Sequence, residues 1–290
     1  MKFYFAMSIK RLLRAPTSII FDIVFPVLIL LFAVASVAGS SKGSTAMINY
    51  FISTTLAKGM IPMACISFPM YVARQIENGS ITRLNYFGVK TRWLMLADLL
   101  AQIICACIGV AIAMIVGWLW FKLKCPGAGY FFAYILQLFY ALVTLMVWGE
   151  VVGVLIRNTK GIVLIGIIET FFLLFCASGA AIFEVFPKGV QTMAKCFPIS
   201  WVSWKMPPIW LGHSYWVPDF LWISAIWLGA GLLILWFMSL AGNPFIRAVQ
   251  KQKIQNSMEK KGKTKLHEVA EGSGLSFFPC FCLKIDIYSN

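Results

Sequence analysis

The chain has 290 residues, 60% hydrophobic and only 12% charged, with a mean hydropathy of +0.82 and a net charge of +14. A soluble domain is about 45–50% apolar and about 25% charged, so a soluble fold is excluded and an all-α integral membrane protein is predicted. The positive charge does not point to nucleic acid, because Lys and Arg abut apolar runs, as topology signals and contacts with anionic lipid require.

Residues 1–15 form the first predicted unit, with an amphipathic interfacial helix over 2–14. At 100° per residue Phe5, Ile9, Leu12 and Leu13 share one face, and Ser8, Lys10, Arg11 and Arg14 the other. Such a helix lies in the headgroup plane. Pro16 ends it. Residues 16–242 then hold six predicted spans, over about 19–37, 51–73, 93–120, 130–156, 162–183 and 220–240, each near the ~20 apolar residues that a helix needs to cross. Between the last two, residues 184–218 combine Pro187, Pro198, Pro207, Pro208 and Pro218 with Trp201, Trp204, Trp210 and Trp216. No apolar patch there is long enough to cross, so short re-entrant or interfacial helices are predicted, with Trp at headgroup level. Residues 243–290 read as a basic tail, either held against anionic lipid or solvated and disordered.

Six spans place both termini on one side. The N-terminus, the 74–92 segment, the 157–160 turn and the tail carry eighteen of the 25 Lys and Arg. The positive-inside rule then puts these segments in the cytoplasm and residues 184–218 outside, in a multi-pass protein of the plasma membrane.

The polar stretch from Arg74 to Leu84 is wedged between two apolar runs and recurs nowhere else. Within it, Glu77-x-Gly79-Ser80-x-x-Arg83-Leu84 directly follows the second span. Gly79 permits a sharp bend out of that span. Ser80 is placed to cap a short helix, with Leu84 and Phe87 as an apolar knob. This motif resembles the E-x-G-[TS]-x-x-R-L segment of the permease subunits of ABC-2 type exporters. The resemblance covers about residues 1–240 and draws on the N-terminal amphipathic helix, Ser178-Gly179 and Phe197-Pro198. In one respect the chain departs from the family, since Gln75 and Ile76 interrupt the charged run often found before the glycine.

The resemblance implies a coupling helix seated in a groove of a separate ATPase. Arg74, Glu77, Gly79, Ser80, Arg83, Leu84 and Phe87 would carry that contact. It also implies two ATPase subunits holding ATP and Mg, no cofactor on this chain, and a second permease subunit, identical or not, completing a dimeric pathway. The implied cargo is an amphiphile such as a drug, antimicrobial peptide, lipid or glycan precursor. An ordinary charged loop obeying the topology rule explains the same residues.

Ionisable groups inside spans cost several kcal/mol unless paired or wetted. Asp22 and Asp98 are expected near cytoplasmic ends, where snorkelling or headgroup contacts suffice. Glu150 and Glu169 fall at similar depth on neighbouring antiparallel spans, as a polar patch lining a cavity or as groups paired within the bundle. Lys58 either snorkels outward or lines the pathway. Trp201 and Trp204 belong either to an aromatic belt or to an exit gate. Two further function classes stay open on the two glutamates: a proton-coupled secondary transporter and a polytopic membrane enzyme.

Catalytic and metal signatures are missing from the sequence. Gly262-Lys263-Thr264 lacks the glycine five positions earlier that a phosphate-binding loop needs, where Ser257 stands. His213 and His267 are the only histidines and form no ligand spacing. Cys280 and Cys282 have no second Cys/His pair, and a disulfide between Cys125 and Cys196 is left open. No metal site and no hydrolysis are expected on this chain.

Overall fold

The apolar runs fold as helices because lipid offers no partner for backbone N–H and C=O groups, and a helix satisfies them within one segment. The computed structural model describes residues 2–13, 20–38, 45–86, 91–121, 126–177 and 186–240, all within the unit Met1–Leu240. Twelve α-helices are described and no strand among these residues. They are α1 Lys2–Leu13, α2 Phe25–Ala38, α3 Thr45–Pro62, α4 Phe68–Glu77, α5 Ser80–Tyr86, α6 Thr91–Phe121, α7 Ala128–Ile156, α8 Thr159–Cys176, α9 Lys188–Lys195, α10 Pro198–Lys205, α11 Pro207–Trp210 and α12 Pro218–Leu240. π-Helical turns over Ile20–Val24 and Met63–Ser67 lead into α2 and α4.

Five helical stretches are long and apolar enough to cross a membrane: Asn49–Glu77, Trp93–Phe121, Ala128–Ile156, Thr159–Cys176 and Pro218–Met238. The predicted first span, about 19–37, is described as helix over 20–38, and its apolar stretch Ile20–Ala35 is shorter than the five. The surface is what lipid demands. Phe32 is 79% exposed and Trp222 74%, and Leu28, Phe132, Leu164, Phe171 and Phe237 face outward as well. Apolar exposure on this scale marks a surface made for a non-aqueous neighbour.

Each π-helical turn sits just before a proline, Pro26 or Pro69, which has no N–H to give back to the turn. The carbonyls of those turns face glycines on other helices. Ala64 O abuts Gly149 on α7, Cys65 O abuts Gly166 on α8, and Asp22 O abuts Gly109 on α6, all so closely that a Cβ would clash. The stretch from α3 to α4 is therefore clasped between α7 and α8. Both pack on it, while touching each other little.

Residues 186–217 fold as three short helices, α9 to α11, as the proline spacing predicts. They are tied into the bundle. Trp201 is buried and its Nε1–H donates to Lys195 O at 2.8 Å. Trp227 Nε1–H donates to Cys196 O at 2.8 Å, and Tyr134 packs edge-on to Trp210 at 4.9 Å.

Candidate functional site

The polar stretch after the second span is a helix–break–helix. α4 ends at Glu77, and Gly79 takes φ +68°, a left-handed conformation that costs a side-chain-bearing residue energy. Arg83 N–H donates to Gly79 O at 3.0 Å, closing the first turn of α5. Gly79 itself thus occupies the position before the helix, and Ser80 is the first helical residue rather than its cap. Arg83 is exposed and Leu84 half-buried. Arg74 is half-buried and donates to Met70 Sδ at 3.8 Å. Phe87 lies outside the described residues.

Glu77 reaches across to the neighbouring turn. Its carboxylate accepts Thr159 Oγ1–H at 2.6 Å and Thr159 N–H at 3.3 Å. Negative charge here also suits the N-terminus of α8, where the helix dipole is positive. The turn itself is tight. Arg157 caps α7 at φ 54°, its N–H donating to Gly153 O, and Asn158 caps α8 by accepting Lys160 N–H at 3.0 Å. Partial burial pulls the Arg157 guanidinium below its ordinary pKa, although arginine stays cationic in water. The two polar segments, far apart in sequence, thus form one surface at one end of the bundle.

A buried polar cluster lies beside that surface. Asp98 on α6 is 4% exposed. Its Oδ1 accepts from Arg11 Nη2 at 3.2 Å and from Tyr71 OH at 3.2 Å, and its Oδ2 accepts from Gln75 Nε2 at 2.8 Å. Arg11 also donates to Gln75 Oε1 and, at 3.2 Å, to Ser8 Oγ. The amphipathic helix therefore differs from its predicted polarity. Lys10 is exposed, but Ser8 is fully buried and Arg11 turns inward to ion-pair with Asp98. Asp98 is not snorkelling, and neither is Asp22, which is 2% exposed and accepts Gln102 Nε2–H at 2.6 Å. The sequence signal for these contacts was the spacing. Tyr71 and Gln75, and Asp98 and Gln102, are i,i+4 pairs that share one helix face.

The other predicted residues are not brought together. Glu150 is buried and Glu169 half-buried, and among the described residues neither is hydrogen-bonded to the other or to a Lys, Arg or hydroxyl. The clasped α3–α4 stretch comes between their helices. Lys58 is half-buried on α3. Trp204 is half-buried and lies between two ammonium groups, Lys195 at 5.3 Å and Lys205 at 4.5 Å from its ring centre. Cys196 is an exposed free thiol, and Cys125 lies outside the described residues. A groove of about 470 Å³ opens between α3, α6 and α7; Met60, Cys107, Met114 and Phe139 line it, and it holds none of the charged candidates. Among the described residues no three His, Cys, Asp or Glu side chains gather as a metal site. The last 50 residues, including Cys280 and Cys282, lie outside the described residues.

No protein-family model matches the chain, and no curated protein is detectably similar to it.

Proposed function

We propose that the chain is the membrane-embedded permease subunit of an ATP-driven exporter of ABC-2 type. It would work in a dimer, with ATP and Mg held by two separate ATPase subunits docked on the cytoplasmic surface. The observation that carries this reading is the half-buried α5 hinge at Gly79, braced by the exposed Glu77 against the start of α8. A helix that leaves its span through a left-handed glycine turns away from the span's axis, and buried Ile81 seats it against the bundle as a lever. Because Glu77 grips Thr159, a push on α5 reaches α4 directly and α8 through that bond. α4 is in turn clasped between α7 and α8 by close glycine contacts, so displacement spreads to the bundle instead of bending one loop. Closure of the ATPase pair would move these helices and drive an amphiphilic substrate outward. Contacts to the partner supply the coupling energy, and this chain needs no hydrolytic group.

The reading is tested by purifying the full chain from its native membrane in mild detergent and identifying co-purifying proteins by mass spectrometry. A P-loop ATPase is expected with the wild type and not with Glu77→Ala/Gly79→Pro, which should still insert into the membrane. An ATPase retained equally by the double variant, or none with the wild type, overturns the docking role.

A further inference from the structure

Asp22 enters the bundle on the first π-helical turn, and Ser67 ends the second; the two turns touch each other. Gln102 faces them from α6. Asp22 is 2% exposed, Ser67 1% and Gln102 0%. Gln102 Nε2 donates to Asp22 Oδ2, and the Ser67 hydroxyl faces the same carboxyl. Yet Asp22 Oδ1, Ser67 Oγ and Gln102 Oε1 are all buried with no hydrogen-bond partner among the described residues. These oxygens come from three elements, and one of them belongs to the carboxylate that Ser67 and Gln102 face. Each unpaired buried polar atom gives up its hydration without return, and a lone buried carboxylate loses more. No cation among the described residues compensates, since Arg11 is committed to Asp98. Of the titratable groups nearby, Cys105 on α6 also faces Asp22, and it brings no positive charge.

We propose that Asp22, Ser67 and Gln102 bind one sodium ion inside the bundle. The donor set is all oxygen, which a hard cation prefers. One carboxylate balances one positive charge, whereas a divalent ion would leave an uncompensated charge in an apolar interior. One ion takes lone pairs from all three oxygens at once, the Gln102 carbonyl included. π-Helical turns inside helices often mark functional sites, and here two of them frame the same carboxylate. The site joins the first span to the second and third. It does not rest on the exporter reading.

The test is thermal unfolding of the full chain in nanodiscs of zwitterionic lipid, comparing about 100 mM sodium, potassium and choline chloride at each of two pH values. Sodium should raise the melting temperature saturably, by about 3 °C over choline. The rise should vanish in Asp22→Asn and shrink in Ser67→Ala, which removes only an unpaired hydroxyl and keeps the comparison available should Asp22→Asn fail to fold. Equal melting in all three salts overturns the proposal, as does a sodium shift unchanged in the variants. A shift that follows pH alone, equal in sodium and choline, assigns a proton to Asp22 and also overturns it.

Discussion

Asp98 and Asp22 occupy the same bundle, each buried and each bonded to a glutamine, but their surroundings differ in one respect. Asp98 has a guanidinium, a phenol and an amide converging on its two oxygens. Asp22 has one amide and three unpaired oxygens, counting its own. In the first cluster both carboxylate oxygens are paired, although Arg11 Nε is buried without a partner among the described residues, and its parts come from α1, α4 and α6, so it fastens the amphipathic helix to the bundle. The second has positions left over. A buried charge whose partners are all present acts as a fastening, and unpaired buried oxygens are the observation on which the sodium proposal rests.

The largest effect should come from breaking the paired cluster. Arg11→Met strands a buried carboxylate and should destabilise the protein by about 3 kcal/mol, seen as a large drop in melting temperature in detergent. Adding Asp98→Leu should recover most of the loss, because removing both partners of a buried pair is often close to neutral. If the double variant is as unstable as Arg11→Met, the cluster contributes packing rather than charge pairing. Much less is expected at the incomplete cluster. In sodium-free buffer Asp22→Asn should change stability by less than about 1 kcal/mol and can raise it, since the new amide N–H donates to Gln102 Oε1. A loss as large as that of Arg11→Met would mean that Asp22 carries a hidden counter-ion and that the two aspartates are alike. The smallest effect belongs to the exposed bond at the bundle end. Glu77→Gln should cost about 0.5 kcal/mol of stability, while raising hydrogen exchange in the first turn of α8. Unchanged exchange there would detach Glu77 from α8 and remove the proposed link between hinge and bundle.

Much of the architecture could be read without coordinates. Apolar runs separated by polar turns determined the helices, and the chemistry of lipid leaves no other backbone solution. Prolines spaced through 187–218 foretold the short helices before α12, and Gly79 foretold the bend. The first apolar helix lies over 20–38, close to its predicted bounds, but it opens as a π-helical turn around Asp22, which an apolar pattern does not record. Arg11 and Ser8 were assigned to a polar face because a hydrophobic pattern records which residues avoid water. It does not record which polar residues have found each other. Glu77 was legible as exposed and acidic, but its bond to Thr159 depends on two turns 82 residues apart meeting at one end of the bundle.

By itself, the sequence determined that this chain belongs in a membrane, where its helices run and where the chain must bend, because burial of apolar surface and backbone hydrogen bonding are decided locally. Only the tertiary structure decided which charges are paired. Asp22, Asp98, Glu150 and Glu169 are all acidic residues in apolar runs. The packing of α1 on α6 brings a cation to Asp98, and among the described residues none reaches Asp22, because an electrostatic partner must arrive within a few ångströms from another helix.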